Sequence, residues 1–184
     1  MSQSDSQEKC QKRSCQPRNQ LEFCTQAVFA QELIPLLGSN GQFQPAVDNF
    51  GSRINGLLRL KFSRDFTKIR YKLYVFDATN STNKVISAHL HFGAANVNGP
   101  VLVTLYDNPQ GRNVDGLLAK DTIQNHEVVH FDGGGNPSNQ INSIASIYAA
   151  IRAGNIYVNI HSVKLPQGAA RGQIYFNTSN DNEH

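Results

Sequence analysis

Two stretches of period-two alternation, separated by a short polar segment, constrain this chain more than any other feature. In residues 54–62, Leu58, Leu60 and Phe62 alternate with Arg59 and Lys61. In residues 68–76, Ile69, Tyr71, Leu73 and Val75 occupy one set of positions and Lys68, Arg70, Lys72 and Tyr74 the other. Successive side chains of a strand point to opposite faces, so each stretch predicts a half-buried strand. Ser63 to Thr67 supplies the turn, giving an antiparallel hairpin with one apolar and one basic face.

The rest of the chain reads as more of the same. Val28-Phe29-Ala30 and Leu33 to Leu37 predict a first strand, with Pro35 confining it to an edge or a bend. Further strands are expected at 85–92, 101–106, 117–119, 128–131, 156–161 and 170–176, with turns at Asn108 to Gly116 and Asp132 to Gln140. One short helix is expected near 143–153. Ser143 caps it, Ile144, Ile147, Tyr148 and Ile151 recur at helical spacing, and Gly154 ends it. Many short strands with turns between them predict an all-β protein, an antiparallel β-sandwich or Greek-key-like barrel.

At 184 residues the chain fits one domain with a tail. The boundaries read as a flexible Cys-containing N-terminal arm at 1–26, a sandwich domain at 27–178 and a polar tail at 179–184. The arm is rich in Ser, Gln and Lys and poor in apolar residues, which predicts disorder. It shows no secretory signal, and no apolar run is long enough to span a bilayer, so membrane insertion is not expected. The net charge of +3 is too small to imply a nucleic-acid partner. Charged residues make up only 17% of the chain, a composition that suits an extracellular or surface-assembled β protein.

All three cysteines, Cys10, Cys15 and Cys24, fall in the first 24 residues. They admit three readings: inert thiols, intermolecular disulfides to neighbouring subunits, or a metal site. Their spacings do not match a zinc pattern, and an odd count leaves at least one thiol unpaired within the chain.

His89 and His91 stand two apart on one strand and so share a face. Ile86, Ala88, Leu90 and Phe92 form the other face, the better core candidate. On strand 156–161, Val158 and Ile160 oppose Tyr157, Asn159 and His161. If the two strands approach, His89, His91 and His161 make a three-nitrogen site for copper or zinc. Alternatively they are structural, bonding loop carbonyls and holding the Asn98-Gly99-Pro100 and Pro166 loops. His126 and His130 are further imidazoles within reach of such a scheme. The basic positions Arg59, Lys61, Lys68, Arg70 and Lys72 either bind an anionic polymer such as a glycan or prevent edge-to-edge aggregation. No nucleophile elbow, Walker loop or His-Glu-x-x-His motif is present, so no enzyme is expected from the motifs.

The segment Ala88-His89-Leu90-His91-Phe92-Gly93 with Asn98-Gly99-Pro100-Val101, together with Ala153 to Ser162, Pro166 and Arg171-Gly172-Gln173, resembles the CHRD (chordin-type) domain. The resemblance spans roughly residues 28–176 and implies a β-sandwich without enzymatic activity. The family run has an acidic residue two positions before the Arg, where this chain has Ala169, so an Arg–Glu pair is not expected. The cysteine-rich modules of chordin are absent, so growth-factor antagonism does not carry over.

The chain is therefore expected to be a non-enzymatic structural or assembly protein of a surface layer, on a spore or virus particle or at a cell surface. Its partners would be other proteins of that layer and copies of itself, joined through Cys10, Cys15 and Cys24. On that reading no cofactor is needed. The first alternative is a copper- or zinc-binding sandwich using His89, His91 and His161. A His-x-His strand pair is similar to the start of the copper site in copper–zinc superoxide dismutases, though the remaining ligands of such an enzyme are not placed here. The second alternative is a module for anionic glycans using the basic face.

Overall fold

A computed structural model describes residues 21–28, 54–129 and 141–175. Eight strands form two four-stranded antiparallel sheets. The first contains β1 (Glu22–Ala27), β2 (Asn55–Phe62), β3 (Lys68–Ala78) and β6 (Val114–Gln124), in the order β1-β2-β3-β6. The second contains β4 (Val85–Phe92), β5 (Val101–Arg112), β7 (Ile156–Ser162) and β8 (Ala170–Gln173), in the order β5-β4-β7-β8. The observed fold is an all-β sandwich, one of the two architectures expected from the strand pattern and the one that the CHRD resemblance implies.

The β2–β3 hairpin is as predicted. Leu58, Leu60, Phe62, Ile69, Leu73 and Val75 lie in the core, while Arg59, Lys61, Lys68, Arg70 and Lys72 are exposed on the opposite face. The second sheet supplies Ala88, Leu90, Leu102, Val158 and Ile160 to the same core. Tyr71 crosses between the layers, its hydroxyl donating to the Leu105 carbonyl at 2.6 Å.

Among the described residues one α-helix, α1 (Ile144–Arg152), lies where expected. Ser143 caps it by accepting from the Ser146 amide, and Gly154 follows its end at a φ of 73°. Ile144, Ile147 and Ile151 enter the core. Tyr148 joins Phe23, Phe62 and Phe66 in an aromatic cluster with neighbouring ring centroids 4.6–6.4 Å apart.

The structure corrects several expected elements. The first strand is Glu22–Ala27 rather than 28–30, so the sheet takes residues 22–26 from the segment read as an arm. Phe23 and Ala27 bury their side chains there, and pairing with β2 supplies the backbone partners. Asn108 to Gly116 is not a turn: β5 continues to Arg112 and β6 starts at Val114, which carries the chain from one sheet to the other. Pro109 is tolerated because β5 is an edge strand. Residues 117–119 belong to this longer β6. A 3-10 turn occupies Asn125–Glu127, and Val128 and Val129, expected in a strand at 128–131, are in no strand; residues 130–131 lie outside the described residues. On β4 the inward set is Val85, Ala88 and Leu90, with Ile86 and Phe92 half-buried. A bulge between Val85 and Ser87 changes the parity of the strand. Cys10 and Cys15, the expected strand at Leu33 to Leu37, His130, and the tail at 179–184 lie outside the described residues.

The two layers also meet at one edge. Val28 and Arg171 exchange backbone hydrogen bonds of 2.9 and 3.1 Å, and Thr25 donates to the Gln173 carbonyl at 2.6 Å. Gly172 is required at this seam, since a Cβ there would run into the Gln26 carbonyl.

Candidate metal centre

Strands β4 and β7 are hydrogen-bonded neighbours, which places the expected imidazoles together. Opposite pairs are Ser87 with His161, His89 with Asn159, and His91 with Tyr157. All of these side chains leave the face that does not contact the sandwich core. The face is nevertheless covered: every residue of β7 is buried.

The cover is the segment Gly93 to Pro100. Arg171, only 2% exposed, donates to the carbonyls of Ala94 and Val97 and to Asn98 Oδ1, each at 3.0 Å. Its guanidinium lies 3.5 Å from the centre of the Tyr157 ring. Gln173 donates to the carbonyls of Gly93 and Gly154 at 3.0 and 2.7 Å. Arg171 thus bonds loop carbonyls with Gln173 beside it, as the missing acidic residue predicts. Gly93 and Gly99 allow the close turn: a Cβ on Gly93 would come within 2.7 Å of the Val97 carbonyl, and one on Gly99 would overlap the Phe92 carbonyl.

Beneath this cover, His89, His91 and His161 each present a ring nitrogen, and the three atoms lie within 4.8 Å of one another. The His89 and His161 rings are 5.1 Å apart, and His91 stacks on Tyr157 at 4.8 Å with 12° between the planes. His91 Nδ1 lies 2.9 Å from the Gly99 carbonyl, and His161 Nδ1 lies 3.0 Å from that of Pro166. A carbonyl oxygen only accepts, so each Nδ1 carries its proton and each Nε2 keeps a lone pair. Both Nε2 atoms, together with His89 Nδ1 and Asn159 Oδ1, are buried without a hydrogen-bond partner.

An orphaned buried polar atom costs about 1–3 kcal/mol, so several in one place call for a ligand. The donor set fits a metal ion. Neutral imidazoles suit copper and zinc, and a ring fixed by a carbonyl on its far nitrogen is the usual support of a metal-binding His. A tetrahedral ion with bonds of about 2.0–2.1 Å needs nitrogens roughly 3.3 Å apart, so ligand atoms that lie within 4.8 Å of one another here would draw closer around it. Burial pushes His89 and His91 down to about 4, and lowers His161 as well. For His89 the second cause is the His161 charge, while for His91 the Gly99 hydrogen bond opposes the shift. All three rings are therefore neutral at pH 7, as ligation requires.

His126 sits exposed in the 3-10 turn and is not part of the cluster. The structural reading of the histidines also holds in part, since one nitrogen each of His91 and His161 secures a loop. Tyr157 and Asn159 were not singled out from sequence, although their alternation with His161 along β7 places them on the same face. Cys24, expected in the arm, stands on β1 opposite Arg59 and is disulfide-bonded. The basic residues share one exposed face and are joined by Lys120 of β6, which the alternation of 54–76 does not reach.

No match was found among curated proteins or solved structures. The description of the CHRD domain, a non-enzymatic family, matches residues 35–174. That span includes both histidine strands, the covering segment and Arg171, and on this match the chain belongs to the CHRD domain family.

Proposed function

We propose that this chain is a non-catalytic β-sandwich module that binds one copper or zinc ion through His89, His91 and His161. Two observations carry this reading: the three imidazoles bring ring nitrogens within 4.8 Å of one another, and each ring has a buried nitrogen without a hydrogen-bond partner. Three protein ligands leave a position for an exogenous ligand or for Asn159 Oδ1. None of the three is a carboxylate, so the site itself brings no negative charge to a divalent ion.

The test is elemental analysis of protein made without a histidine tag, loaded with copper or zinc and then desalted. One equivalent is expected to remain in the wild type and to be lost in His89→Gln/His161→Gln. Failure to retain stoichiometric copper or zinc under any loading condition contradicts the reading.

A second reading concerns assembly. A CHRD β-sandwich supports a role as a protein-interaction module. We infer that the module belongs to a surface layer of a spore, particle or cell and is stapled to neighbouring subunits. The cysteine count supports this: three cysteines cannot all pair within one chain, and Cys24 already carries a disulfide, so one thiol is left over for a neighbour. Covalent multimers that collapse with reductant are expected on non-reducing gels, and to disappear in a Cys10/Cys15/Cys24→Ser variant. A wild type that stays monomeric under oxidising conditions overturns it.

A further inference from the structure

The outer face of the first sheet places like charges opposite one another. Arg59 lies across from Lys72, Lys72 from Lys120, and Lys61 from Arg70. Directly opposed like charges destabilise a sheet, so three such contacts on one face are a standing cost. Lys61 has a relieving partner, Glu22 at 2.7 Å. Among the described residues, Arg59, Lys72 and Lys120 form no ion pair.

Protection against aggregation does not account for this arrangement. That role belongs to charges on edge strands, whereas Arg59, Lys61, Lys68, Arg70 and Lys72 stand on β2 and β3, the two central strands. The field also continues past the sheet. At the hairpin end, Lys61, Arg64, Lys68 and Arg70 line a groove of about 320 Å³ floored by Leu21 and Phe62. Seven of the chain's 17 Lys and Arg residues gather here, against a net charge of only +3. They recur at every second position along β3, roughly 7 Å apart, and on adjacent strands about 4.8 Å apart.

We propose that this face binds an anionic polysaccharide, laid along β3 from the hairpin groove toward Lys120. An extended chain of fixed negative charges complements the rows and relieves their mutual repulsion. A folded protein partner fits less well, because a stable protein interface needs an apolar centre and the apolar row of this face, Leu57, Tyr74 and Leu117, lies at one end of the cation rows rather than at their middle. A single-stranded nucleic acid also fits less well. It needs aromatic platforms between the cations, and the rings that continue this side of β3, Tyr74 and Phe76, are half-buried and lie beyond the cations rather than between them. This face lies on the opposite sheet from the histidines and stands whether or not they bind a metal.

The test is retention of the full chain on immobilised dextran sulfate across a salt gradient. Wild type is compared with R59Q/K72Q/K120Q and with a charge-matched control, R112Q/R152Q/K164Q, whose exposed cations lie elsewhere. Wild type and the control are expected to be retained at physiological salt, and R59Q/K72Q/K120Q to bind at least tenfold more weakly. The face variant is also expected to unfold at the same temperature as wild type or higher, since the opposed charges are gone. Three outcomes overturn the proposal: no retention of the wild type, equal loss in both variants, or tighter binding of a single-stranded oligonucleotide than of the polysaccharide.

Discussion

At the scale of single residues, His91 and His161 each do two things with one ring. One nitrogen donates to a loop carbonyl, and the other faces the shared space between the imidazoles. This division of labour depends on the rings being neutral, which gives a pH dependence of definite sign. The folded values of His89 and His91 are near 4, below the unfolded value of about 6.5. Between these limits the unfolded chain takes up protons that the folded one refuses, so unfolding becomes easier as pH falls. The metal-free protein is therefore expected to hold its full stability from these groups above pH 6.5 and to lose it progressively toward pH 4. Urea titrations at pH 7.5, 5.5 and 4.5 check this, and a midpoint that does not fall contradicts it. The face that carries His89 and His91 was legible from their spacing of two. The fixed tautomers were not, because the carbonyls of Gly99 and Pro166 come from loops whose return path no local pattern encodes.

At the scale of elements, β7, like the shorter β8, is buried on both faces. One face packs in the apolar core, and the other is sealed by the segment that Arg171 and Gln173 hold down. The alternation of Val158 and Ile160 with Tyr157, Asn159 and His161 is visible in the sequence. Whether the polar side faces water or a cover depends on Arg171, 73 residues beyond Asn98. The β2–β3 hairpin and α1 were legible because each rests on local periodicity. The β5–β6 crossover was misread because Gly111 and Gly116, both at positive φ, occupy irregular strand positions rather than a hairpin turn. Two substitutions probe elements directly. Phe62→Ala removes a side chain 2% exposed at the centre of the aromatic cluster, and is expected to cost about 3–5 kcal/mol. Gly172→Ala forces a Cβ against the Gln26 carbonyl. It is expected to destabilise by at least about 1–3 kcal/mol, in the range of overpacking. Denaturant unfolding measures both, and a Gly172→Ala protein as stable as wild type would show that the β1–β8 seam is looser than described.

At the scale of the whole molecule, the sandwich presents two chemically different outer faces. One sheet carries opposed cations, and the other carries a covered imidazole cluster. The cysteines cluster near the N-terminus, on and before β1. The core joins these parts, so an ion bound by β4 and β7 stabilises the entire fold. A ligand at a thousand times its dissociation constant adds about 4 kcal/mol to stability, and each kcal/mol moves the midpoint of a domain this size by roughly 2–4 °C. The strand patterns alone pointed to an all-β sandwich or barrel, and the CHRD resemblance to the sandwich. The closeness of His89, His91 and His161 required the pairing of β4 with β7 across the 63 residues between Phe92 and Ile156, which no single segment reveals. The central claim is that these three imidazoles hold one ion. X-ray absorption at the copper or zinc edge of the tag-free, metal-loaded protein counts them directly. The account predicts one ion per chain with three imidazole nitrogens at about 2.0 Å. A bound ion whose scattering shows no imidazole, or an unchanged signal in His89→Gln/His161→Gln, would contradict it.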